Sequence, residues 1–360
     1  MNDRALKILE QYELEVAGTR RGRGSWYLDT PGGFRILSDY SGSENRAGFQ
    51  NCVMEKLRCS GYENVDLILP NKEGHLVSRD WEGKGYVVKE WYAGRECDTS
   101  NEGEILCAVR NLANLHRRMR LDEGSLRTIG GQLQDWNREP SCDSPVTDLP
   151  DKSTQAPLSY DRTHFTARRP AEDLASQNAQ LRKIRSFVRS RPRRSVFEQS
   201  FLDSYEKYYA QALKAEEELL AITDGLAVLE KESANAVCHG DYSHHHVLIC
   251  GREVATTNFD SCRFDFQVND LYYFMRKILE KQEWNARLGQ RMLEAYTQIR
   301  ALSGTERRLL RVKMLYPEKF RKLAGSYYVG SKAWISRQYM EKLEKTNRQE
   351  RARQEFIKTL

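Results

Sequence analysis

At 360 residues, with 39% hydrophobic and 30% charged side chains and a formal net charge of +6, the chain is long enough for two separate cores. No apolar run approaches the roughly 18 residues of a membrane-spanning helix, and the opening residues alternate charge with apolar side chains, which reads against both a span and a secretory signal. The eight cysteines contain no CxxC pair, so a protein made in the cytoplasm with reduced thiols is expected, and Cys238, Cys250 and Cys262 are too widely spaced to read as a zinc site.

The positive charge is local. Ten Lys or Arg residues between Arg162 and Arg194 face only Glu172 and Asp173, a net of +8, which leaves the rest of the chain at −2. Such a segment is either a solvated basic helix or a patch for an anionic partner.

In chain order, residues 3–12 predict a short amphipathic helix. Leu14–Gly18 and Trp26–Asp29 read as strands flanking a loop that holds Gly22 and Gly24, and Phe34–Tyr40 follows the turn at Thr30–Gly33. Phe49, Val53, Met54 and Leu57 give Ser43–Cys59 a helical period. Residues 61–91 are strands broken at 71–74 and 82–85, leading into Trp91 and the connector Tyr92–Arg95. Glu104–Met119 reads as a core helix ending in Leu-Ala-Asn-Leu-His116.

Five of the nine prolines lie in 137–170, which predicts a flexible insertion. Two helices follow: Glu172–Ser190, and Phe197–Ile222, which ends before Gly225 and carries Phe197, Phe201, Tyr205, Tyr209 and Leu213 on one stripe. The region 236–277 holds His239-Gly240-Asp241, a polar turn, the strand Val247–Ile249, a turn at Gly251-Arg252, and a second strand ending in Asn258-Phe259-Asp260. From there the pattern is helical. His244-His245-His246 diverge in direction and read as a polar loop rather than one metal site.

The order His-Gly-Asp, a polar residue five positions after the Asp, and then a strand ending beside an aromatic and an Asp resembles the aminoglycoside and choline phosphotransferase branch of the protein-kinase-like superfamily. Together with TNFDSCRFDFQVNDLYYFMRK, LEAYTQIRALSGTE, YPEKF and SKAWISRQYMEKL, it resembles the CotS-type spore-coat family over nearly the whole chain. The resemblance implies an α+β, bilobal protein-kinase-like fold. Its small antiparallel β-sheet lobe with one helix would span 1–92, and a larger, mainly helical lobe 93–360 would contain the catalytic-loop region 236–277 and the insertion 137–170.

It also implies roles. Asp241 takes the place of the catalytic base, Gly22 and Gly24 that of the phosphate-covering loop, Ser38 that of the phosphate-binding Lys, Glu55 that of its helix partner, and Trp91 the adenine hinge. His246 and Asn258 occupy the two metal-ligand positions. His239, Asp270 and His116 are structural.

Three of these positions depart from the family together. Ser38 stands for Lys, and Arg35 cannot replace it because residues three apart on a strand face opposite sides. His246 stands for Asn and Asn258 for Asp. Mg²⁺ takes hard oxygen ligands, so an imidazole and a neutral amide are poor substitutes, although Asp260 could offer a carboxylate. Phosphoryl transfer rests on positioned charge, and losing one such group costs on the order of a hundred- to thousandfold in rate.

The expectation is a spore-coat-associated pseudokinase scaffold that needs no cofactor, docks other coat proteins and assembles on the coat. The alternatives are an active phosphotransferase using ATP and Mg²⁺ on a small-molecule hydroxyl or a coat protein, with Asp241 as base, and a protein that binds nucleic acid or another anionic partner through Arg-rich 182–194. A single aromatic, Phe187, interleaves those arginines, too few to stack a run of bases, which makes nucleic acid the least favoured partner.

Overall fold

The computed structural model describes residues 7–22, 24–121, 165–329 and 336–360. Their contacts form two compact units. One gathers the described residues of Met1–Asp98, Asn111–Thr166 and Asn235–Phe264; the other those of Thr99–Arg110, Ala167–Ala234 and Asp265–Leu360. A boundary at residue 92 would assign 236–277 to the helices. The contacts instead group Asn235–Phe264 with the N-terminal sheet, to which side chains described below tie it.

The first unit is built on an antiparallel sheet of β1 (Gly18–Arg21), β2 (Ser25–Thr30), β3 (Gly33–Asp39), β6 (Gly85–Glu90) and β4 (Ile68–Leu69) in that spatial order, with β5 (Ser78–Arg79) also on β6. The predicted first strand at Leu14–Gly18 starts only at Gly18. The predicted N-terminal helix is a single 3-10 turn, Ile8–Gln11, and its first residues lie outside the described ones.

Side chains alternate across the sheet. Leu28, Leu37, Tyr86 and Val88 bury one face under Ile8 and Tyr12, while Val87 and Ile68 bury the other with Tyr40, Leu76, Val77 and Ala47. Ala47 comes from α1 (Glu44–Cys59), whose N-terminus is capped by Ser43 accepting from the Arg46 N–H at 3.2 Å. The Glu44 carboxylate accepts the N–H groups of Leu76 and Val77, tying the helix start to the next loop.

A second small sheet pairs β10 (Glu253–Thr256) with β9 (Val247–Cys250) and β9 with β7 (Arg95–Glu96); β8 (Val237–Cys238) pairs with β11 (Arg263–Phe264). Most of the predicted insertion lies outside the described residues, but its end is packed. Phe165 is buried against Phe49 with ring centroids 4.5 Å apart, and Thr166 bridges to Phe264.

The helix α2 (Glu102–Arg118) precedes the elements of the second unit, α3 (Pro170–Ser190), α4 (Val196–Leu220), α5 (Thr223–Glu232), α6 (Val268–Lys281), α7 (Ala286–Thr297), α8 (Gly304–Leu315), α9 (Glu318–Val329) and α10 (Ser336–Lys358). Helices α3 and α4 run antiparallel: Asn178 meets Glu216, Arg185 meets Glu206 and Arg191 meets Glu198.

Ser195 and Glu198 form a capping box at the start of α4. The buried stripe of α4 is Phe197, Phe201, Tyr205, Tyr208, Ala212, Ala215 and Leu219, while the predicted Leu213 is exposed. Repeated steps of four residues drift around a 3.6-residue helix, so the buried face alternates steps of four and three. Gly225 does not end a helix; it lies inside α5, where an added Cβ would come 2.7 Å from Thr305 Oγ1.

Candidate functional site

The His239-Gly240-Asp241 loop leaves β8 and is held by its own backbone and by His239. The fully buried His239 ring donates from Nε2 to the Thr257 carbonyl at 3.0 Å and accepts the Asp241 N–H at Nδ1, 3.3 Å away, which fixes the tautomer. Gly240 adopts φ +84°, and a Cβ there would sit 2.1 Å from the Ser261 carbonyl oxygen. Only glycine permits that approach. The loop thereby presents the Asp241 carboxylate partly exposed.

The two positions expected to hold a metal bond to each other instead. His246, in a 3-10 turn, donates from Nδ1 to the Asp241 carbonyl oxygen at 2.8 Å. That leaves Nε2 as acceptor for the Asn258 Nδ2 at 3.2 Å. Asn258 lies in the left-handed region at φ +66°, and its backbone N–H donates to Asp66 Oδ2 at 2.8 Å. Imidazole and amide are thus satisfied without a cation, and this donor pair does not fit Mg²⁺. Among the described residues no group of three or more His, Cys, Asp or Glu side chains is arranged to hold a metal ion.

The strongest electrostatic feature of the site comes from a residue that sequence reasoning passed over. Lys89, 3% exposed, ion-pairs with Asp260 Oδ1 at 2.5 Å and with Asp66 Oδ2 at 3.4 Å. It comes from β6, where its cross-strand partner on β3 is Ile36, two residues from Ser38. Lys89 therefore shares the face of Ser38 and Val87, beneath α1.

Gln50, on the inner side of α1, donates to Asp260 Oδ1 at 3.1 Å, and Arg46 donates to the Asp260 and Cys262 carbonyl oxygens. Burial lowers the affinity of Lys89 for its proton, but the two carboxylates outweigh it and hold the ammonium more firmly charged than usual. Burial likewise pushes Asp260 upward, yet Lys89 and Gln50 bring it below the usual carboxylate range. At Asp66 burial wins over Lys89 and the Asn258 N–H, and its pKa rises to about 6.

A family profile described as "Spore coat putative kinase YutH" matches residues 176–360, just over half of the chain. The chain belongs to this spore-coat kinase family. No curated protein sequence matches it.

Among solved structures, an aminoglycoside phosphotransferase from Alicyclobacillus acidocaldarius is similar with a TM-score of 0.76 at 15% identity, covering 98% of this chain and 94% of that one. The AMP-bound spectinomycin phosphotransferase APH(9)-Ia is similar at 0.59 and 10% identity, over 95% and 96% of the two chains. A microcompartment-associated aminopropanol kinase reaches 0.53 and 14%, over 95% and 94%. At these identities the likeness shows the fold, a kinase-like antiparallel sheet with a helical region.

In this member of the spore-coat kinase family the remaining candidates fall in different places. Gly22 and Gly24 form the β1–β2 turn, Gly24 at φ +73°. Ser38 is half-buried on β3 opposite Val87. Trp91 continues the pairing of β6 with β3, donating its N–H to the Phe34 carbonyl at 3.0 Å, and its ring lies against Tyr27.

Glu55 is exposed on α1 and is not brought to the site. It lies five residues after Gln50, about 140° around the helix from the side that faces Asp260. His116 is buried near the end of α2, and Asp270 is buried in the first turn of α6. Of the triple histidine, His245 pairs with Glu96 at 2.5 Å, so the run does not converge on one point.

Proposed function

We propose that this member of the spore-coat kinase family is a scaffold: a kinase-like coat component whose phosphotransferase-like site is closed by its own side chains. The observation that carries this reading is the Asn258–His246–Asp241 chain of hydrogen bonds, in which both metal-ligand positions satisfy one another. A cation binding there would have to break that chain and then use a nitrogen donor and a neutral amide.

On this reading the protein needs no cofactor, and its partners are other coat proteins, which it meets after synthesis in the cytoplasm. No helix among the described residues is long and apolar enough to cross a membrane. Much of the Arg-rich segment 182–194 is engaged internally, with Arg185 on Glu206, Arg191 on Glu198 and Arg182 on the Tyr209 hydroxyl, which weighs against a nucleic-acid groove.

The active-enzyme reading has one observation in its favour. Lys89 supplies, from the adjacent strand, an ammonium on the face where Ser38 lacks one. That ammonium is already neutralised by two carboxylates, so it is a poor phosphate ligand.

Thermal-shift titration with ATP and Mg²⁺ or Mn²⁺ separates the two. The scaffold shows no metal-dependent stabilisation, whereas an enzyme gains about 2.7 kcal/mol at a hundred times its Kd. A His246→Asn/Asn258→Asp variant should acquire a metal-dependent shift. Saturable stabilisation of the unaltered protein, or ATP turnover that Asp241→Asn abolishes, overturns the proposal.

A further inference from the structure

Ion pairs bridge α6 and α9 around a cluster of charges that does not balance. Lys277 on α6 is half-buried, its ammonium 5.3 Å from the Tyr273 ring centroid, and no carboxylate pairs with it among the described residues. The preceding residue, Arg276, is buried and pairs with Glu280 one turn on. From α9, Lys319 reaches the same Glu280 at 3.1 Å, while Arg321 and Lys322 share Glu318 at 2.8 Å and 3.1 Å.

Each of these two carboxylates already serves two cations, and neither is left for Lys277. Asp173 on α3 adds a third acid beside Arg321. Five cations against three carboxylates leave an excess of two positive charges.

The excess is concentrated on Lys277. Burial, and after it Arg276, Lys322 and Lys319, hold its ammonium below the usual lysine range, and Glu280 only partly opposes them. A lysine withdrawn from water is ordinarily matched by a counter-charge. A solvated basic surface spreads its ammoniums into water, where their repulsion is small. Here the ion pairs between α6 and α9 hold three cations around a fourth.

What such a cluster calls for is about two negative charges at one place. A phosphate group carries about −1.5 to −2 at pH 7 with three acceptor oxygens on one centre. A lone carboxylate brings half of that, and an acidic peptide spaces its charges along a chain. Lysine ammoniums suit phosphate because they act as point charges whose donors rotate to meet its oxygens.

We propose that the α6–α9 face binds a phosphate-bearing anion, seated on Lys277 with Lys319 and Lys322 at its edge. Both edge lysines are exposed, so the site opens to solvent. The cluster lies in the second compact unit and uses no residue of the phosphotransferase-like site, so neither inference rests on the other.

Thermal-shift titration with pyrophosphate, in EDTA and at constant ionic strength set with chloride, tests it; EDTA removes any contribution from a metal-dependent nucleotide site. The unaltered protein should show saturable stabilisation. Lys277→Gln removes an ammonium that has no counter-charge, so without added anion it should melt at or above the unaltered protein, yet it should bind pyrophosphate at least about tenfold more weakly. Lys277→Arg keeps the charge and should retain the binding, and Lys183→Gln, on the exposed basic side of α3, should leave it unchanged. O-Phosphoserine identifies the source: affinity comparable to that for inorganic phosphate supports a phosphoryl group carried by another molecule, and binding of the inorganic ions alone supports a free anion. No saturable stabilisation by pyrophosphate, equal affinity in Lys277→Gln and the unaltered protein, or a Lys277→Gln variant that melts well below it without added anion overturns the proposal.

Discussion

Replacing Lys89 with Met keeps the length and apolar stem of the side chain and removes its charge. In the folded protein this leaves Asp66, 1% exposed, and Asp260 without the ammonium that both face. Removing one partner of a buried ion pair costs about 3–5 kcal/mol, most of it the penalty of the charge left behind. The burial of Asp66 gives a check on scale: a rise from 3.8 to about 6 with the lysine present already corresponds to about 3 kcal/mol at neutral pH. Lys89→Met should therefore lose about 3–5 kcal/mol at pH 7, a large share of a typical stability.

The pH dependence carries the sign. In the unaltered protein Asp260, held below its usual range, contributes stability above that range and loses it as pH falls. Asp66, raised to about 6, acts oppositely: its cost grows as pH rises from about 4 through about 6. The two partly cancel. In Lys89→Met both carboxylates are raised, so the defect should shrink on acidification toward pH 5, where they protonate. Urea melts at pH 7 and pH 5 measure this, and a second substitution, Asp260→Asn, should recover part of the loss. A variant as stable as the parent at pH 7, or one whose defect deepens on acidification, would show that Lys89 does not hold this site together.

Three further substitutions probe the site and its supports. Gly240→Ala should cost more than the roughly 1–2 kcal/mol of a positive φ, because its Cβ meets the Ser261 carbonyl; Gly24→Ala, with nothing within 4 Å, should cost only the φ term, and calorimetry compares them. Asn111 accepts from the Tyr62 hydroxyl and donates to Tyr242 and Thr256, so Asn111→Ala should lower stability by about 3 kcal/mol in chemical denaturation. Ser195→Ala removes the cap of α4 and should cost about 1 kcal/mol in the same assay.

The hairpin Val247–Thr256, the helix Glu44–Cys59 and the order of elements were legible because turn glycines and helical periods are local signals. The lysine on β6 was not. Strand parity correctly separates Arg35 from Ser38, but which residue of β6 lies beside them depends on the register Ile36 to Lys89, fixed by turns and packing far from either strand. A lysine ending the run Tyr86-Val87-Val88, two residues from a core valine, was the available signal. Glu55 misled for a related reason: a helical period locates a face, but the residue that reaches the site depends on how the helix is rotated, and here that residue is Gln50.

The departures at His246 and Asn258 form a single unit. With His246 replaced by Asn alone, the Asn258 amide would lose the imidazole acceptor it now uses; with Asn258 replaced by Asp alone, the imidazole, whose Nδ1–H is committed to the Asp241 carbonyl, would have to take a second proton before Nε2 could donate to the carboxylate. Either single change therefore removes or recharges a bond that the present pair makes between neutral groups. The same bonds use only the main chain of Asp241: its carbonyl anchors His246 and its N–H meets His239, so neither depends on the carboxylate. Its carboxylate, partly exposed and 3.6 Å from His246 Nδ1, contributes little to holding the loop. Asp241→Asn should then change stability by no more than about 0.5 kcal/mol and leave coat assembly intact. A large loss of stability, or failed assembly by a folded variant, would place a demand on that carboxylate which main-chain anchoring does not explain.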